Sequence, residues 1–247
     1  MSTGYEKFKS YIIGKSFYKK LKENPLLLKV NQHLKNRVEA AKRESVHKFG
    51  LESICIIRET FNEVDKKFWL DYGTLLGAIR DKDFIGHDAD VDLGTLFTSN
   101  EDIRKIEQLL IGKGMKKSRE FQVGNIVVEQ TYIHKGVNVD IYYYHREEEN
   151  KISCFACEEG KQTVYKKMSD HMNVTGLTVR KITHPQTGLK EITFKGELFN
   201  IPENHHEYLV NNYGPTYMVK DANWDWTTID NNVILPFEDN TEASIYF

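Results

Sequence analysis

Residues 86–94 read Gly-His-Asp-Ala-Asp-Val-Asp-Leu-Gly and set aspartates at positions 88, 90 and 92. In an extended chain, residues two apart point to the same side. Asp90 and Asp92 therefore project together, and Val91 and Leu93 face the other way. The pattern fits a strand with one face in an apolar core and the other in a cleft. It does not fit an amphipathic helix, whose apolar residues recur every three or four positions. Two carboxylates held close together cannot both ionise without a penalty. A divalent cation removes that penalty, and all-oxygen ligation favours a hard ion, Mg2+ or Mn2+, over zinc.

A second segment has the same form. In Val-Asn-Val-Asp-Ile-Tyr-Tyr-Tyr, residues 137–144, Asp140 sits between Val139 and Ile141. If this strand lies beside the first, Asp90, Asp92 and Asp140 converge, and such a set can hold one or two ions that grip a phosphate chain. Asp88 is a further candidate ligand. Upstream, Gly73 and Thr74 stand at a strand-to-helix junction, with Thr74 at the head of the helix. Helix N-termini present unpaired N–H groups to phosphate, and glycine lets a ligand approach the backbone closely. Arg80 and Lys82 follow as candidate phosphate contacts. His87 is a candidate donor contact, and Tyr213, Trp224 and Trp226 are candidates for stacking on a base or sugar.

The remaining pattern predicts helices over 16–46 broken near Asn24-Pro25, then a helix with Ile54, Ile57, Phe61 and Val64 on one face. A short strand at Phe-Trp-Leu follows, then the helix from Thr74 and the first aspartate strand. Ser99 or Asn100 opens the next helix, with acids in its first turn. A hairpin turns at Lys135-Gly136, residues 150–200 read as short strands and turns, and a late helix ends at Gly214. The expected fold is α+β, a mixed sheet flanked by helices, with a helical N-terminal segment.

Charge divides the chain. Residues 1–50 hold twelve Lys or Arg and four acids, net +8, within a total of −2. The expected organisation is a basic helical segment, 1–50, before a catalytic domain with a C-terminal extension, 51–247. No apolar run approaches the roughly 20 residues of a membrane span, and the start lacks the apolar core of a signal peptide. The expected setting is cytoplasmic. The basic segment would meet an anionic membrane surface or a phosphorylated polymer, or else pack on the body or drive homo-oligomerisation. No nucleic-acid partner is expected. Three cysteines are too few for a disulfide framework, and the single C-x-x-C at Cys154 and Cys157 lacks the second pair of a zinc site.

The stretch YGTLLGAIRDKDFIGHDADVDLG resembles the LicD/fukutin family of nucleotidyltransferase-fold phosphotransferases. FNIPENHHEYLVNNYGPTYM is similar to that family's later segment, and NWDW at 223–226 resembles the fukutin-like branch. The resemblance covers roughly residues 51–235. Here Gly86-His87 stands where many such chains have Pro-Trp, and Ala89 where an acid is common, which ranks Asp88 below the other two aspartates. The resemblance implies transfer of a phospho-alcohol from a CDP-linked donor to a glycan or glycolipid hydroxyl. The alcohol is choline in LicD and ribitol in fukutin. Metal-bound Asp90 and Asp92 would hold the donor diphosphate, and CMP would leave. Asp140 would complete the metal site or take the acceptor's proton. Two other activities compete: a true nucleotidyltransferase releasing pyrophosphate, and a non-catalytic protein that binds glycan or lipid surfaces.

Overall fold

The computed structural model describes residues 25–148, 150–221, 232–235 and 241–247. Trp224, Trp226 and the NWDW stretch lie outside the described residues, as do residues 1–24 with six of the twelve N-terminal basic residues.

One helix, α1 (Pro25–Glu63), opens the described chain. Proline at its first position suits a site where no N–H partner is needed. The helix runs through the expected division at 50/51 without a break. Residues 32–37 are exposed, and among the described residues the first fully buried side chain of the helix is Val46. Beyond it, Ile54, Ile57 and Phe61 are buried. The spacing read from the sequence marks the core-facing stripe at these three residues, while Val64, expected on the same face, lies one residue past the helix end and is half-buried.

Next come β1 (Phe68–Leu70), the short helix α2 (Tyr72–Leu76), one π-helical turn over Gly77–Asp81, and β2 (Asp90–Leu96). Helix α3 (Asn100–Gly112) follows, capped by Ser99, whose Oγ accepts from the Asp102 N–H at 3.1 Å. Strands β3 (Lys116–Val123), β4 (Ile126–His134) and β5 (Val137–Arg146) form a meander, and Lys135-Gly136 makes the expected turn. Then come β6 (Lys151–Glu158), β7 (Val164–Lys167), β8 (His171–Thr175) and β9 (Thr178–Pro185). The hairpin β10 (Leu189–Phe194) and β11 (Glu197–Pro202) precedes helix α4 (His205–Tyr213). Strands β12 (Asn232–Ile234) and β13 (Thr241–Tyr246) end the chain.

The large sheet runs β12-β9-β6-β5-β4-β3-β13-β8-β7, with β2 joined to β5 and β1 to β2. Among the described residues the β2–β5 pair is the parallel one, and every other pairing is antiparallel. The fold is therefore α+β around a mixed sheet. Val91, Leu93, Val139 and Ile141 are completely buried on the face covered by α1 and α3. On the other face, Trp69 of β1 lies over Gly94 of β2. A Cβ at Gly94 would meet the indole at 2.4 Å, so this strand position needs glycine. None of the helices among the described residues is long and apolar enough to cross a membrane.

Under α3 a polar network ties helix to sheet. Glu120 accepts from Arg104 at 2.5 and 2.6 Å, from Lys117 at 3.0 Å and from Gln130 at 2.8 Å. Burial alone would raise the Glu120 pKa, but Arg104, Gln130 and Lys117 bring it down to about 2. Its stabilising contribution is therefore complete above about pH 4.5 and lost as pH falls towards 2, on the order of 2–3 kcal/mol. Glu120→Gln should flatten the acid limb of unfolding free energy over that window. An unchanged limb in the variant would mean the network contributes nothing.

Candidate active site

The two aspartate strands lie side by side. Their parallel register sets Asp92 opposite Asp140 and Asp90 opposite Asn138. With Val91, Leu93, Val139 and Ile141 in the core, the three carboxylates share the opposite face. Asp140 is 4% exposed. Its Oδ1 accepts from the Thr131 hydroxyl at 2.5 Å and lies 3.5 Å from the Arg119 guanidinium.

These carboxylates occupy a place that resists their charge. Burial and the charge of Asp140 push Asp90 up to about 6, against the pull of Lys42 and Arg119. Burial, then Asp90 and Asp140, push Asp92 well above the ordinary carboxylate range. Burial and the charge of Asp90 push Asp88 up to about 7.

The junction before α2 is built differently from the reading of Thr74 as helix head. Asp71 is the N-cap and is fully buried. Its Oδ1 accepts from the Tyr72 N–H at 2.8 Å and the Tyr208 hydroxyl at 2.9 Å, and its Oδ2 accepts from Tyr144 at 2.6 Å. Tyr72 takes a left-handed φ of 36°. Thr74 is buried and turns inward, where its Oγ1 accepts from the Asp92 N–H at 2.9 Å. The Asp71 N–H in turn donates to the Asp92 carbonyl at 3.0 Å. Thr74 thus fastens the junction to β2, and its hydroxyl is not presented to a ligand. At Gly73 the close neighbour is the protein's own Asp88, whose Oδ2 would stand 2.7 Å from a Cβ there.

Beside Asp88 lies a cavity of about 290 Å3, which Asp90, Asp92 and Asp140 do not line. Gly73, Arg80, His87, Asp88 and Tyr213, all singled out in the sequence, line it together with Tyr217 and Lys220. Tyr213 feels the charges of Asp92, Asp71 and Asp88, although burial is the main reason its pKa is raised. Arg80 is partly engaged already. It donates to Asp81 at 2.8 Å and to the Tyr217 carbonyl at 3.4 Å. Lys82 is exposed with a left-handed φ of 57° and does not line the cavity, so its expected phosphate contact has no support. Trp224 lies outside the described residues. Cys154 packs in the main core and Cys157 against a separate small cluster, so the C-x-x-C does not form one site.

Three residues near the acids were missed. Glu129 and Arg119 reach the same face from β4 and β3, since Glu129 pairs with Tyr142 and Arg119 with Thr131, the neighbour of Asp140. Burial, then the charge of Asp140, push Glu129 up to about 8. Lys42, on α1 within the basic segment, lies close enough for its charge to lower the Asp90 pKa.

The donor set is all oxygen, and its excess negative charge is met by few cations. That suits a hard divalent ion. Among the described residues, however, no group of three His, Cys, Asp or Glu side chains is gathered closely enough to enclose one. The chain offers part of a ligand set. Mg2+ sites often consist of one or two carboxylates completed by substrate phosphates and water.

A family model described as LicD/FKTN/FKRP, nucleotidyltransferase domain, matches residues 65–204. Two curated relatives, each a Ribitol-5-phosphate transferase FKTN, are similar over 205 residues. The Homo sapiens protein is 25% identical and the Macaca fascicularis protein 26%, over 80% of this chain. The chain spans only 39% of the length of these relatives. Among solved structures, that of ANT(2")-Ia in complex with adenylyl-2"-tobramycin covers 70% of this chain and 79% of its own, at 12% identity. Its TM-score of 0.39 is too low to argue from. The family match runs from just before β1 to just after β11 and takes in both aspartate strands. With its acids on the parallel pair β2–β5 and a glycine junction beside them, the chain belongs to the LicD/FKTN/FKRP nucleotidyltransferase-domain family.

Proposed function

We propose that the protein is a metal-dependent transferase. It moves a phospho-alcohol from a CDP-linked donor to a glycan or glycolipid hydroxyl and releases CMP. Ribitol or glycerol phosphate is the favoured cargo, with phosphocholine the alternative. The observation that carries the reading is the in-register pairing of Asp92 with Asp140, beside Asp90, with Asp88 of the same stretch lining a cavity that also holds Arg80 and Lys220.

Asp90 and Asp92 would hold Mg2+ or Mn2+, with Asp140 or Asp88 as a further ligand. When bound, such an ion neutralises the donor diphosphate and the charge that develops on the leaving CMP. The chain's own groups do the rest. Gly73 leaves room for the Asp88 carboxylate at the start of α2, and the cavity walls orient the nucleotide. Thr131 fixes the Asp140 carboxylate by a hydrogen bond, so Asp140 is oriented either to ligate or to receive the acceptor's proton. Glu129 is the neighbouring acid able to hold a proton at neutral pH, being pushed up to about 8.

The test is incubation with Mg2+ and a panel of CDP-alcohols, reading CMP release. Thorough chelation should abolish release, and either Mg2+ or Mn2+ should restore it. Full activity after chelation would remove the metal from the reading, and pyrophosphate release from a nucleoside triphosphate would favour a true nucleotidyltransferase. The basic residues of the N-terminal segment fit contact with an anionic surface carrying the acceptor. Because α1 delivers Lys42 to the site, a truncation that probes this contact should stop at residue 24.

A further inference from the structure

A second cavity, of about 470 Å3, lies away from the aspartates. It lies where the end of α1 meets the start of β1 and the β10–β11 hairpin, at the end of β1 remote from Asp71. Three residues of extended chain separate the two ends, about 10 Å. Four cations line this cavity: Arg58, Lys66, Lys67 and Lys190. Asn62 and Asn200 add amides, the Asn200 Nδ2 already donating to the Phe68 carbonyl at 3.2 Å, and Glu191 adds one carboxylate.

The cations are of two kinds. Arg58 is fixed, with its guanidinium 5.0 Å from the Phe199 ring centroid, 2.7 Å from Glu197 and 3.0 Å from the Leu198 carbonyl. Lys66 pairs with Asp102 at 3.1 Å. Lys67 and Lys190 are exposed, and among the described residues neither has a carboxylate within ion-pair distance. A concave, polar cleft with two unpaired ammonium groups attracts anions. Its volume falls in the range that encloses a ligand of several rings or units.

We propose that this cleft binds a phosphate-bearing segment of the acceptor glycan, away from the hydroxyl that attacks. Lys67 and Lys190 would meet the phosphates, and Asn62 and Asn200 the polyol or sugar hydroxyls. The assignment rests on the phosphotransferase reading, since it places acceptor recognition at the far end of β1 from the reacting groups. It would give the protein a preference for acceptors already carrying phosphate.

The test uses the full chain, a short glycerol phosphate oligomer, and a neutral oligosaccharide of the same length. Binding is followed by calorimetry. The double variant Lys67→Gln, Lys190→Gln should weaken oligomer binding by about tenfold and make it less salt-dependent. CMP release from the donor without acceptor should be unchanged. Wild-type affinity in the variant, no binding to the wild type, or equal affinity for the neutral oligosaccharide would overturn the proposal. An RNA oligonucleotide competing as tightly would also overturn it, by making the cleft a nucleic-acid site. Absence of CMP release in the wild type would refute the phosphotransferase reading, while the binding comparison stands by itself.

Discussion

Asp90→Asn and Asp92→Asn should each lower turnover by about a thousandfold or more, as removal of a principal source of transition-state charge stabilisation does. The fold should survive and gain stability. Both carboxylates share one face with Asp140, and burial and mutual repulsion raise the pKa of each. An acid whose folded pKa is raised contributes stability below its unfolded pKa, and that contribution is lost as pH rises through the folded value. For Asp90 the window runs from about 4 to about 6. The metal-free wild type should therefore lose stability across that window, and each asparagine variant should lose less. At neutral pH the variants should be more stable by about 1–3 kcal/mol. CMP release and thermal unfolding with and without Mg2+ check both halves. Near-normal turnover at saturating Mg2+ would sink the metal-site reading, and a fall in stability would show that the aspartates hold the fold together instead.

The second large effect is expected at Asp71→Ala. This side chain is 0% exposed and receives three hydrogen bonds, from the Tyr72 N–H, Tyr144 and Tyr208. Alanine would take the acceptor from the Tyr72 N–H and the Tyr144 hydroxyl, while the Tyr208 hydroxyl keeps the Tyr144 oxygen at 3.2 Å, and it would release the strained turn at Tyr72. The cost should be about 3–5 kcal/mol. Asp71→Asn keeps one oxygen acceptor and the shape, so its cost should fall between the two. Activity should drop with stability in the alanine variant, because the same junction places Gly73 and Thr74 against β2. Denaturant unfolding checks it, and a loss below about 1 kcal/mol would show that the tyrosines find other partners.

The contrast between Asp71 and the strand aspartates shows what could be read from sequence. Asp90, Asp92 and Asp140 were legible because each sits between apolar residues of a strand, and that local pattern alone decides which face it occupies. The Ser99 cap and the Lys135-Gly136 turn were legible for the same reason: their chemistry is complete within a few residues. Asp71 was not, since Thr74 three residues on offers an equally good hydroxyl. What decides between them is the arrival of Tyr144 and Tyr208 from β5 and α4. Glu129 and Arg119 depend on the register of β3, β4 and β5, including bulges in the β3–β4 pair that shift side chains along the strand. Lys42 depends on the angle at which α1 docks on the sheet, which helical periodicity does not specify.

The long first helix also sets a distance. Between Pro25 and Lys42, the residue that first feels the site, an α-helix rises about 25 Å. Residues 32–37 in that span are exposed, while the later part of the helix is clamped into the core through Val46, Ile54 and Ile57. The exposed part is thus a stiff rod continuous with the anchored part. If its tip rests on an acceptor-bearing surface, the reacting groups would be held at a fixed height above it, and the length of acceptor able to bridge that gap would be selected by geometry. Inserting or removing whole helical turns between residues 32 and 37 would then shift which acceptor lengths are used, without altering the chemistry.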